Sequence, residues 1–137
     1  MKPAPDRLIL ERYPERLAVP VRFADLDPLG HVNNVAFGYF YEEGRAALNR
    51  AAFPLELRRE HGMRIVIADL HIAFLAEAFY PGDIIVGTGV SHIGKSSYAT
   101  ASAIFQNGAC LGTCDTVMVN TAGGKSAPLP EAARTAL

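Results

Sequence analysis

The segment Asp27-Pro28-Leu29-Gly30-His31-Val32-Asn33-Asn34 places a carboxylate and an imidazole on a short turn that runs into the strongest helical pattern of the chain. A turn feeding a helix start gathers backbone N–H groups without intrahelical acceptors, and such groups polarise a carbonyl or hold an anion. A carboxylate beside them is the minimum equipment for acyl transfer, because it can take a proton from water or attack the carbonyl itself. The same residues also have a purely local reading, with Asp27 forming an Asx turn and Asn33 capping the helix. Asp25 and Asp27 form a D-x-D pair, but no third metal ligand is visible, and Asp25 reads as a solvent-facing residue at a strand end. His31, His61, His71 and His92 are scattered without metal-site spacing, so no metal centre is expected.

The elements that must position this turn follow from periodicity. Leu17, Val19, Val21 and Phe23 alternate with Ala18, Pro20, Arg22 and Ala24, which predicts a half-buried strand, with Pro20 favouring an edge or bulged position. Phe37, Phe40, Tyr41, Gly44, Ala47, Leu48 and Ala51 then recur at intervals of three and four, with Glu42, Glu43, Arg45, Asn49 and Arg50 mostly between them. That pattern predicts an amphipathic helix from about Asn34 to about Ala52, ended by Pro54. Gly44 within the apolar stripe points to a close approach between helix and sheet. Everything after Gly62 reads as strands. Arg64 to Phe74, Ile84 to Val90, Tyr98 to Phe105 and Ala109 to Thr121 are separated by turn signals at Pro81-Gly82-Asp83, Gly94-Lys95 and Asn107-Gly108. One strand, one long helix and four further strands define an α+β fold: a five-stranded antiparallel sheet wrapped around a single helix. Such a sheet leaves exposed edges, for which a symmetric oligomer is the expected remedy.

Bulk properties bound the function. The 137 residues suit one domain, with a core from about 15 to 130 and short tails at either end. Half of the residues are hydrophobic and the net charge is −1. There is no block of like charge, which argues against nucleic-acid binding or an electrostatic membrane anchor. No apolar run is long enough to cross a bilayer, and no signal peptide is recognisable. Cys110 and Cys114 are four apart in an expected strand, roughly 13 Å between them, which is beyond disulfide reach. Two reduced thiols fit a cytoplasmic protein.

With this architecture, Asp27-x-x-Gly30-His31-Val32-Asn33-Asn34, followed by Phe40 and Glu42-Glu43-Gly44-Arg45, resembles the signature of hotdog-fold acyl-CoA thioesterases. The chain is most similar to the 4-hydroxybenzoyl-CoA thioesterase-like group, including its long-chain acyl-CoA branch. The resemblance runs from about Val19 to Pro130, and Pro81-Gly82-Asp83 and Gly94-Lys95-Ser96-Ser97 fall where that family has strand turns. It implies a catalytic Asp27, acting as general base or nucleophile, and a carbonyl held by the backbone N–H of Asn34. It also implies that His31 orients water or hydrogen-bonds Asp27. Lys95 and Ser96 would contact the phosphates of coenzyme A, and Val66, Ile67 and Ala68 would line the acyl pocket. No cofactor is implied, coenzyme A being part of the substrate. The pocket would lie between subunits of a homodimer or homotetramer, with Val66 to Ala68 and Lys95 supplied by the neighbour.

Two other readings remain at this stage. A hotdog-fold dehydratase or hydratase normally carries its acid on the helix, whereas Asp27 precedes it and Glu42 and Glu43 lie far along it. A non-catalytic acyl-CoA-binding module would usually be joined to a DNA-binding or partner domain, for which the short N-terminal tail leaves no space.

Overall fold

Helix α1 (Asn34–Ala52) is the axis around which the rest of the chain is wound. The computed structural model describes residues 2–137. Strand β1 (Glu15–Pro20) precedes the helix, and α2 (Leu55–His61), β2 (Arg64–Phe74), β3 (Asp83–Ile93), β4 (Ser97–Gln106) and β5 (Ala109–Ala122) follow it. A two-residue strand β6 (Lys125–Ser126) and helix α3 (Glu131–Ala136) complete the order. All pairings are antiparallel, in the order β1-β3-β4-β5-β2, with β6 added to β5. This is the hotdog arrangement, and β1 and β2 are the two edges of its main path.

The apolar stripe of α1 explains how the sheet holds it. Phe37, Phe40 and Tyr41 are buried against a core that includes Ile84, Val86, Ile104, Leu111 and Cys114, and Leu48 is buried farther along the helix. Gly44 is the point of closest approach: a Cβ there would lie 2.5 Å from Val86 Cγ1 and 2.7 Å from Thr88 Oγ1. The helix-propensity cost of glycine is thus offset by the contact it permits. Arg45, expected among the solvent-facing positions, is buried, with Nη1 3.4 Å from Thr116 Oγ1. A sheet that curls around the helix covers its flanks, so a simple two-faced reading of α1 underestimates its burial.

The opposite face of the sheet is covered by the N-terminal residues. Tyr13 packs on Phe105 with ring centroids 6.2 Å apart, and a Cβ on Gly87 would lie 2.7 Å from the Tyr13 ring. Arg7 pins this strap, donating to Asp115 Oδ1 at 2.9 Å while Tyr13 Oη donates to the Arg7 carbonyl at 2.7 Å.

Some sequence expectations need correction. The first strand stops at Pro20, because Arg22 and Asp25 bond each other locally and turn residues Phe23–Asp25 into a 3-10 helix. Phe23 is therefore 75% exposed instead of buried in a strand. Helices α2 and α3 occupy segments that the periodicity leaves without an element; at seven and six residues they are too short for it to announce them. The Asn107-Gly108 hairpin holds as expected, with φ of 51° and 81°, the paired positive values of a type I′ turn.

Candidate active site

The loop between the 3-10 turn and α1 closes on itself. Leu26 and Val32 form an isolated antiparallel bridge, Asp27 N–H donates to the His31 carbonyl at 2.8 Å, and Gly30 N–H donates to the Asp27 carbonyl at 3.0 Å. Gly30 takes φ of 81°, the left-handed region that this tight reversal requires. Asp27 Oδ1 accepts the backbone N–H groups of Leu29 (2.9 Å) and His31 (3.1 Å), so the Asx-turn reading is correct for that oxygen. Asp27 Oδ2 has no hydrogen-bond partner among the described residues. One oxygen fixes the carboxylate; the other is available.

The helix start behaves in the same divided way. Asn33 caps α1, its Oδ1 accepting the Ala36 N–H at 2.8 Å, and its own N–H donates to the Asp25 carbonyl at 2.9 Å. The N–H groups of Asn34 and Val35 have no acceptor among the described residues, and both residues are exposed. A half-buried carboxylate on a stapled loop and two open helix-start donors form a constellation for a polarised carbonyl and a water or direct attack.

Asp25 is not solvent-facing. It is buried, and its carboxylate accepts Arg22 Nη2 at 2.8 Å and the Arg22 backbone N–H at 2.8 Å. Burial pushes its pKa up, but the Arg22 side-chain and backbone hydrogen bonds together with the guanidinium charge outweigh this and hold it below the usual carboxylate value. Arg22 in turn lies 4.8 Å over the Tyr39 ring. Asp25 is thus the brace that fixes the loop to the helix start. The hydrogen bond expected between the His31 ring and Asp27 is absent: His31 Nδ1 lies 3.5 Å from Glu77 Oε1, and only its backbone N–H reaches Asp27. Glu77 is a residue that sequence reasoning misses, and nothing in local spacing signals it, because it arrives from the segment after β2.

The remaining expected site residues are elsewhere. Pro20 pairs with Asp83, so the Asp27 loop lies at the start of β3, whereas Lys95 follows its end at Ile93. Ten residue steps separate the ends of β3, roughly 33 Å. Val66 pairs with Val119, which pairs with Ser97, so Val66, Ile67 and Ala68 stand at the Lys95 end as well. There the chain ties its turn from behind: the Lys95 carbonyl accepts the Leu129 N–H and the Ser96 carbonyl accepts the Asn120 N–H. Within one chain, Asp27, His31 and Asn34 come together, and Val66, Ile67, Ala68, Lys95 and Ser96 come together, at opposite ends.

The surroundings of Asp27 are open and apolar. Phe23, Leu29, Val35, Phe74 and Phe79 are each more than half exposed. Among the described residues no group of three or more His, Cys, Asp or Glu side chains is placed to hold a metal ion. No helix among the described residues is long and apolar enough to cross a membrane.

An antiparallel sheet wound on one helix defines a hotdog-fold protein. The family model of the thioesterase-like superfamily matches residues 21–137, and the chain belongs to that superfamily; it is a thioester hydrolase. Among solved structures, a thioesterase from Thermus thermophilus, complexed with coenzyme A and Zn, is 35% identical, with TM-score 0.81 over 90% of this chain and 91% of that one. A predicted thioesterase from Bacillus stearothermophilus is 27% identical, with TM-score 0.80 over 88% and 90%. A 1,4-dihydroxy-2-naphthoyl-CoA thioesterase from Synechocystis shares the fold at 22% identity, with TM-score 0.78 over 88% and 93%. No curated protein matches the chain.

Proposed function

We propose that the chain hydrolyses acyl-CoA thioesters to a free carboxylic acid and coenzyme A, at a site completed by a second copy of itself. The observation that carries this reading is the free Oδ2 of Asp27 on a loop that the Leu26–Val32 bridge and the Asn33 N–H to Asp25 carbonyl bond hold to the start of α1, where the N–H groups of Asn34 and Val35 are unbonded among the described residues. Asp27 takes a proton from water as the water oxygen attacks the thioester carbon, and returns it to the departing thiolate. Attack by Asp27 itself, through a mixed anhydride that water then cleaves, uses the same groups. The Asn34 N–H holds the developing oxyanion without reorganising, a contribution of about 3 kcal/mol for one well-placed donor. His31 acts through its backbone N–H, which sets the rotamer of Asp27, while its ring braces the loop against Glu77.

The second copy follows from the open edge. The outer side of β2 carries eleven residues without a strand partner, and Val66, Ile67, Leu70 and Phe74 are 40–52% exposed on it. Such an edge pairs with another strand unless blocked. Antiparallel pairing of β2 with its own copy about the midpoint, Asp69, sets Arg64 of one subunit opposite Phe74 of the other. The Val66–Ala68 wall then reaches the Asp27 end of its neighbour, which joins the two half-sites. The example from Thermus supports coenzyme A as the thiol portion.

Thiol release from a panel of acyl-CoAs, followed with a chromogenic thiol reagent, tests the reading. Wild type should turn over at least one of them. A folded protein that releases no thiol, or an Asp27→Asn variant with near-normal turnover, overturns it.

A further inference from the structure

The structure carries a second assembly of functional groups that the Asp27 chemistry does not use. Of the ten arginines, Arg7, Arg16, Arg22, Arg45 and Arg134 each donate from the side chain to a named acceptor. Arg12, Arg50, Arg58, Arg59 and Arg64 make no side-chain hydrogen bond or ion pair among the described residues, and all but Arg12 cluster at one corner. Residues 50–64 hold four arginines against two glutamates in a chain whose net charge is −1. The cluster is therefore not a by-product of a basic protein.

Three of these arginines share a hollow. Arg50 at the end of α1, Arg58 on α2 and Arg64 at the start of β2 line a groove of about 550 Å³, with Phe53 and Met63 among its other walls. Phe53 and Met63 belong to a packed core cluster with Tyr98, Met118 and Leu129, so the groove rests on a rigid base. A second hollow, of about 510 Å³, continues from Arg64 along Val66 and the Thr121–Gly124 turn. Exposed guanidiniums with no carboxylate partner, held around a concavity, are suited to phosphate oxygens, which they bind in bidentate fashion.

We propose that this groove binds the phosphate groups of the nucleotide arm of a coenzyme A thioester, and that it serves the Asp27 site of the partner subunit. The inference rests on the acyl-CoA reading above. The self-pairing of β2 puts Arg64 of one subunit against Phe74 of the other, and Phe74 packs on Phe37 in the first turn of α1, with centroids 5.1 Å apart. The groove of one subunit thus opens toward the loop of its partner, with the Val66–Ala68 strand between them as a path for the pantetheine arm. The proposal places the main phosphate grip on Arg50, Arg58 and Arg64.

The test compares two thioesters of one acyl group, the coenzyme A ester and the N-acetylcysteamine ester, which lacks the nucleotide. In Arg58→Ala/Arg64→Ala the ratio of their kcat/KM values should fall at least about tenfold, chiefly through KM for the coenzyme A ester. Arg12→Ala, an equally unpaired arginine on another face, should leave the ratio as in wild type. Titration calorimetry with coenzyme A, dephospho-coenzyme A, pantetheine and inorganic phosphate supplies a readout independent of turnover. Coenzyme A should bind most tightly, weaken with salt and weaken further in the double variant, while pantetheine should not respond. Equal loss on both esters, no change in the ratio, or equal binding of phosphate and coenzyme A overturns the proposal. If wild type binds coenzyme A through these arginines but hydrolyses no thioester, the groove stands and the catalytic reading fails. Charge reversal, Arg58→Glu, repeats the test should the double variant prove unfolded.

Discussion

The two ends of the sheet differ in what they lack. Among the described residues, the Asp27 end has a free carboxylate oxygen, open helix-start donors and a collar of exposed aromatic residues, but no walls and no cations free of partners. Its one nearby arginine is committed to Asp25. The opposite end has a packed base, unpartnered arginines and a groove, but no carboxylate, imidazole, thiol or hydroxyl lines that groove. Each end supplies what the other is missing, and one molecule cannot join them across roughly 33 Å of strand. A two-fold axis through the β2 edge can, because an antiparallel pair places the start of one strand against the end of its copy. On the proposed reading, a site divided between the ends would make association a condition for activity and not an accessory to it.

The comparison breaks most severely at Asp27. Asp27→Asn keeps the size of the side chain and its bond to the loop, so the protein should fold and its rate should drop at least about a hundredfold. His31→Ala should cost less, since the backbone N–H to Asp27 survives; a loss as large as that of Asp27→Asn would make the ring itself catalytic.

Sharing between copies is tested by mixing. Asp27→Asn and a bulky wall variant, Val66→Tyr, should each be impaired alone. Exchanged subunits should recover roughly a quarter of the wild-type sites, since half the dimers are mixed and one site in each is intact. No recovery after proven exchange, by mass spectrometry of the intact dimer, would confine the site to one chain. A charge at the edge, Leu70→Asp, should yield monomer by analytical ultracentrifugation and lose activity together with the dimer.

The helix–sheet contact at Gly44, the Asp25 brace and the buried Tyr41 are tested through stability. Gly44→Ala forces a methyl group against Val86 and Thr88, both buried, and should destabilise by about 1–3 kcal/mol in denaturant melts. Asp25→Asn tests the brace through pH. Its carboxyl is held below the ordinary value, so its stabilising contribution is complete above the unfolded-state pKa and is lost as pH falls through the lowered folded value. Wild type should melt higher than Asp25→Asn at neutral pH, and the gap should close in acid. The smallest effect is expected at Tyr41, whose fully buried hydroxyl has no partner among the described residues. Tyr41→Phe removes a desolvated polar atom and should leave stability unchanged or slightly raised.

What local interactions control is legible in the order of residues. The length of α1, the strand succession after Gly62, the tight hairpin at Asn107-Gly108 and the stapled loop at Asp27 each depend on neighbours within a few residues, and the glycine in the stripe of α1 marks the close approach whose partners, Val86 and Thr88, come from β3. The Asx turn of Asp27 is local as well, its Oδ1 held by the N–H groups of Leu29 and His31. Tertiary structure decided what depends on residues far apart in the chain. Glu77 reaches the His31 ring from beyond β2, Arg45 is buried because a curled sheet covers the helix flank, and Asp25 is masked by a turn that interrupts the alternating pattern. Above all, register sets Val66 and Lys95 at the end of the molecule opposite Asp27. Period and spacing state which residues share a face; only the pairing of strands, fixed by hydrogen bonds across the whole sheet, states which of them share a place.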